Sequence, residues 1–152
     1  MRACDGGWRR VALGVIALVA GLALGSAGHA QEKGSIHFEM IVSHVSPEPG
    51  SIDPRAEELH RQIKGEIRYR SLRVIELRTF DLDLDEVGSL ELPTGRKVRV
   101  RPLAVAESGV LVAVDIEGSM KTDLRVPNRR IVVIGGQPHE GGRLVISLEP
   151  RY

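Results

Sequence analysis

The chain is poor in the residues that carry most recognisable chemistry. Its 152 positions hold one cysteine, one tryptophan, two tyrosines and two phenylalanines. A single cysteine, Cys4, excludes an internal disulfide and a thiolate zinc site. So few aromatics exclude the stacking platforms that bind single-stranded nucleic acid. No apolar run approaches the roughly 20 residues of a membrane helix. The net charge is only +1, which leaves no global field to attract nucleic acid. Two signatures are missing as well. No His-x-His, His-x-x-His or His-Glu-x-x-His pattern encodes zinc, and no Gly-x-Ser-x-Gly elbow presents a nucleophile. The expectation is a chain without catalytic, metal-binding or cofactor-binding residues, and so not an enzyme.

What is present begins with a leader. "MRACDGGWRR" is basic, Val11–Leu24 is 14 uncharged apolar positions, and "GSAGHA" places small residues at Gly28 and Ala30. This is the pattern of a secretory signal peptide over residues 1–30, with cleavage predicted after Ala30. Arg9-Arg10 lacks the following context of a twin-arginine signal, so the general secretory route is expected. Cys4 precedes the apolar stretch and is no lipoprotein acceptor. Cleavage removes three of the 21 Lys/Arg and one of the 20 Asp/Glu, turning +1 into −1. A periplasmic or secreted mature chain, residues 31–152, is expected to be one domain.

Within it, "SIHFEMIVSHV" alternates, with Ile36, Phe38, Met40 and Val42 on one face and His37, Glu39 and Ser43 on the wet one. "SPEPGS" is a loop. A helix near 54–64 follows: Asp53 is its N-cap, Pro54 suits the first position, and Gly65 ends it. Ala56, Leu59 and Ile63 form its apolar stripe. Everything after Ile67 reads as strands, broken near Glu76–Arg78 and kinked at Pro102, beyond which Leu103 and Val105 take over the apolar phase. "TGR" turns a hairpin that pairs Leu92 with Val98 and sets Glu91 beside Arg99. Val110, Val112, Val114 and Ile116 alternate cleanly, and Leu144, Ile146 and Leu148 close the chain. Strands at about ten-residue spacing predict an antiparallel β-sandwich, or a partly open barrel, of about seven to eight strands with one short helix.

Three stretches invite a functional reading. Gly136-x-x-x-x-Gly141-Gly142-Arg143 approaches a phosphate-binding loop, but glycine replaces the lysine and "RLVIS" continues as a strand with no helix dipole. It is a hairpin, with Pro138, His139 and Glu140 as an exposed tip open to contact. "DLDLDE" opens like a calcium loop, yet Glu86 stands where glycine must turn the chain and Leu92 where the last carboxylate belongs. A solvated acidic face is expected. Lys97, Arg99 and Arg101 share one face of a strand at about 7 Å spacing, with Arg68, Arg70, Arg73 and Arg78 in the preceding extended region. That surface suits a polyanion such as lipopolysaccharide or an acidic glycan, although Glu91 and the Asp81–Glu86 run stand near enough to neutralise it.

"IDPRAEELHRQIKG", "LELPTGRKVRVRPLAV" and "VVIGGQPHEGGRLVISL" occur in an order that resembles a loose group of uncharacterised exported β-rich proteins of Gram-negative bacteria. "TDLRVPNRRIVVIGG" looks like the strand before the Gly-Gly turn in outer-membrane secretin domains. Neither resemblance carries functional residues over. The leader, the missing catalytic signatures and apolar strands able to extend a partner's sheet point instead to a structural or interaction protein of the cell envelope, partnered by an envelope protein in an assembly such as a secretion or pilus machine. A binding module for acidic surface glycans is the alternative.

Overall fold

The computed structural model describes residues 34–152, so the signal-peptide expectation falls outside the described residues. Eight strands form two antiparallel four-stranded sheets and do not close into a barrel. β1 (Ile36–Ser46), β2 (Ser71–Leu82), β7 (Val132–His139) and β8 (Gly142–Arg151) make one sheet in the order β2-β1-β8-β7. β3 (Gly88–Glu91), β4 (Lys97–Ala106), β5 (Gly109–Ile116) and β6 (Met120–Val126) make the other as a plain meander. The predicted sandwich with one short helix is therefore the fold.

Period-two alternation positions the main core. Ile36, Phe38, Met40 and Val42 of β1 meet Val98 and Val100 of β4, Val110, Val112, Val114 and Ile116 of β5, and Leu144, Ile146 and Leu148 of β8. These side chains are all buried between the sheets, and apolar area removed from water there is the main stabilising term, about 25 cal/mol per Å².

A second core lies on the outer face of the first sheet. Pro54–Ala56 forms a 3₁₀ turn leading into α1 (Glu57–Ile63), so the predicted helix begins as a tighter turn. Ala56, Leu59 and Ile63 pack on Ile41, Val45, Leu72, Val74 and Val145, which form the opposite face of β1, β2 and β8. This explains one miss. Ser43, assigned to water from its alternation, is fully buried, because α1 covers the face that a two-layer sandwich leaves wet. Its hydroxyl has no hydrogen-bond partner there.

Turn chemistry corrects other expectations. Leu90, not Leu92, pairs with Val98, and Glu91 sits beside Lys97 rather than Arg99. Leu92 and Arg96 close a three-residue loop, Pro93-Thr94-Gly95, through Leu92 N–H to the Arg96 carbonyl at 2.7 Å. Gly95 supplies φ +77° after the turn, the usual three-residue hairpin geometry. The break in β2 falls at Ile75, between Val74 and Glu76, slightly earlier than expected. At Pro102 the register with β5 does shift, but Val105 is left 48% exposed and does not join the core. β3 ends its pairing at Val100, so nothing extends the sheet beside the last residues of β4.

The helix start is tied to the sheet by one carboxylate. Asp53 Oδ1 accepts from Arg55 N–H at 3.0 Å, and Oδ2 accepts from Arg55 Nη2 at 2.7 Å and Val74 N–H at 3.3 Å. The side-chain bond from Arg55, followed by its backbone N–H, holds the carboxyl far below the usual carboxylate range. A carboxylate lowered in this way adds stability above its unfolded value of about 3.9, and loses it as pH falls below that point. Asp53→Asn is thus expected to lower the urea midpoint at pH 7, with the gap to wild type closing towards pH 2. A gap that persists unchanged at pH 2 would contradict the ion-pair account.

Candidate functional site

The β4 stripe is where the sequence places it. Lys97 and Arg101 are exposed and Arg99 is half-buried on the outer face of the second sheet. Their neighbours come from β5 and β6, which sequence spacing alone did not bring to this face. Arg99 pairs across the strands with Asp115 and then Lys121. Asp115 Oδ2 lies 3.3 Å from Arg99 Nη1 and 3.5 Å from Lys121 Nζ, a shared ion pair. Arg101 pairs with Ala113, whose β6 neighbour is Asp123. Positive and negative side chains therefore alternate across the face. The neutralising acids are mainly Asp115 and Asp123, with Glu91 beside Lys97 at the edge. Arg99, Arg101, Asp115, Lys121 and Asp123 edge a shallow cavity of about 330 Å³.

The other arginines do not extend this surface. Arg73 and Arg78 lie on β2, in the opposite sheet, and Arg78 pairs with Glu76 at 2.8 Å. Arg68 and Arg70 precede β2 in the loop after α1. Residues 83–87 carry the chain from one sheet to the other, which is why neighbours in sequence end on different sheets.

The glycine loop is a hairpin, tighter than expected. His139 pairs with Gly142, so the tip is Glu140-Gly141 alone, at φ 43° and 73°. Two successive positive φ values make a two-residue turn that matches strand twist. Pro138 is exposed but belongs to β7, Glu140 is exposed, and His139 is half-buried. Gly135, at φ +61°, and Gly136 form a bulge opposite Val145. Beyond that bulge Gln137 falls in register with Leu144 on the inner face, where its amide nitrogen and oxygen are buried without a partner.

The histidines separate as the alternation of β1 requires. His37 is on the outer side, 2.7 Å from Asp81, so the first acid of "DLDLDE" has a partner of its own. Asp85 turns the chain at φ +67° and donates its N–H to the Pro102 carbonyl at 2.8 Å. His44 points inward, its Nε2 3.0 Å from the His139 carbonyl and its ring edge-on to that of His139. His60 sits on α1, its Nδ1 2.6 Å from the Tyr69 hydroxyl. Burial pushes the Tyr69 phenol up, so at neutral pH it is a hydroxyl and not a phenolate. Among the described residues no three His, Cys, Asp or Glu side chains gather as metal ligands. Among them, too, no helix is long and apolar enough to cross a membrane.

Two features gave little signal in the sequence: the β5/β6 acids interleaved with the stripe, and the polar bond between α1 and the loop before β2. A strand count with correct hairpin registers finds the first. Compared with known proteins, the chain matches no family model, no curated protein and no solved structure.

Proposed function

We propose that this is a non-catalytic structural or interaction protein of the bacterial cell envelope, exported by its leader and serving as an accessory to a secretion or pilus assembly. The observation that carries the proposal is the β7 edge. β2, the longest edge strand, carries Arg73, Glu76, Arg78 and Asp81, and β6 carries Lys121, Asp123 and Arg125 in alternation, patterns that deter strand pairing. The start of β2 is covered, since Leu72 N–H donates to Ser51 and the Leu72 carbonyl accepts from Asp53 N–H. β3 spans only Gly88–Glu91. β7 pairs with β8 alone, and from Val132 to His139 it carries no acid, lysine or arginine. Up to the Gly135-Gly136 bulge, and short of Pro138, which has no N–H, this uncharged edge offers backbone donors and acceptors to a partner strand.

A photoreactive side chain placed at exposed Pro138, on β7, is expected to cross-link one envelope protein in affinity captures from envelope extracts. The same group at Lys121, on β6, is expected to give no specific adduct. Capture of the isolated chain alone, or equal labelling from both positions, would sink the reading.

A further inference from the structure

We propose that the concave surface between the end of α1 and the β7–β8 turn binds an acidic saccharide. Arg68 and Arg70, which the fold removes from the β4 stripe, gather here with nearby Lys64 and with Arg143 from far along the chain. A cavity of about 450 Å³ is edged by Lys64, Glu66, Arg68, Tyr69 and Arg70. A second, of about 230 Å³, shares Pro47, Ile67 and Arg68 with it and adds Arg143 beside Gly141 and Gly142. The two form one trough.

Arg55, Arg61, Arg78, Arg99, Lys121 and Arg151 each have a carboxylate within ion-pair distance. Lys64, Arg68, Arg70 and Arg143 are all exposed, and none of them makes an ion pair among the described residues. Other cations, Arg73, Arg96, Arg101 and Arg129 among them, also lack an ion pair among the described residues, but four such cations converge on this one trough. Glu66 is the one acid in the trough. The C-terminal carbonyls of α1 add partial negative charge near Lys64 only, and α1 is seven residues long. Unpaired cations of one sign around a concave low-dielectric wall concentrate anions there. On β4, by contrast, Asp115 and Asp123 sit among the cations and would repel a polyanion.

The trough is held in shape before any ligand arrives. The Ile67 N–H donates to the Ile63 carbonyl at 3.0 Å, and the Arg70 N–H to Ser46 at 2.8 Å, which anchors the loop at both ends. Arg143 is fixed by β8, and its stem lies over Gly136, whose missing Cβ would come 3.5 Å from Arg143 Cδ. Tyr69 is held at the trough edge by its packing on the second core and by the bond of its hydroxyl to His60. Such prior ordering lowers the cost of binding. Cations spread over two cavities suit several anionic groups on one chain better than a single phosphate.

This inference is separate from strand docking at β7, so either can fail alone. The test is calorimetric titration of the mature protein with a heparin hexasaccharide, with dextran and inorganic phosphate as controls. Binding is expected to the hexasaccharide alone and to weaken with added salt. Arg68→Ala/Arg143→Ala is expected to reduce affinity about ten-fold or more, since each contact is a charge-assisted hydrogen bond. Both residues are exposed, so melting is expected to stay unchanged. The Lys97→Ala/Arg99→Ala/Arg101→Ala variant is expected to bind like wild type. Absence of wild-type binding, equal loss in the β4 variant, or equal competition by inorganic phosphate would overturn the proposal.

Discussion

Phe38→Ala is expected to cost about 3–5 kcal/mol of folding stability. Phe38 is fully buried and is the largest fully buried side chain of the core. It stands on β1, a strand paired on both sides, in register with Phe80 of β2 and Pro150 of β8. Removing its ring leaves a void in the layer between the sheets, and backbone bonded on both flanks of β1 has little room to collapse into it. A domain of this size holds only about 5–15 kcal/mol in total, so the change takes a large share of it. Phe80, half-buried on the β2 edge, serves as the control, and its replacement by alanine is expected to cost visibly less. Urea unfolding at neutral pH measures both. A loss under about 1 kcal/mol for Phe38→Ala is incompatible with a rigid core at that position.

The second large effect is expected at Gly142, for a reason of space and not of dihedral freedom. A Cβ there would come 2.2 Å from the Val45 carbonyl oxygen and 2.7 Å from His44 Nε2. The imidazole can move, at the cost of its bond to the His139 carbonyl. The Val45 carbonyl cannot, because Val45 pairs with Leu72 on one side and Arg143 on the other. Gly142→Ala is therefore expected to lower stability by about 3 kcal/mol, the upper part of the range for forced overpacking. Combining it with His44→Ala relieves the smaller clash only, so the double variant is expected to stay as unstable as the single one or worse. Recovery to wild-type stability in the double variant would show that the ring, and not the backbone, sets the limit.

The parts of the molecule readable from sequence are those set by local alternation. Ile36 to Val42 and Val110 to Ile116 each declare a buried face because side chains two apart share a side of a strand. The Ala56, Leu59 and Ile63 stripe is legible in the same way at helical spacing. Register was less legible. Pairing Leu92 or Leu90 with Val98 places the same residues inward, so alternation cannot choose between them, and the Pro93-Thr94-Gly95 loop decides. Third-layer burial was not legible at all: nothing around Ser43 announces that α1 will cover it. The candidate sites suffered most. Arg68 and Arg99 belong to one basic region of the sequence but to different surfaces, because the chain changes sheets between β2 and β3. Arg143, which joins Arg68 in the trough, lies far along the chain and becomes its neighbour only through the β1–β8 pairing.

That pairing also orders events in time. β1 lies at the start of the described chain and β8 at its end, yet they are neighbours in the centre of their sheet. Contacts this distant in sequence make for slow folding. Before β8 is in place, β1 can meet β2 but has no strand for its other flank. The meander β3 to β6 can assemble early, but it faces an incomplete sheet until Gly142–Arg151 have paired with β1. Gly142–Arg151 thus act as the closing stroke of the fold, the strand on which both the centre of one sheet and the burial of the other wait.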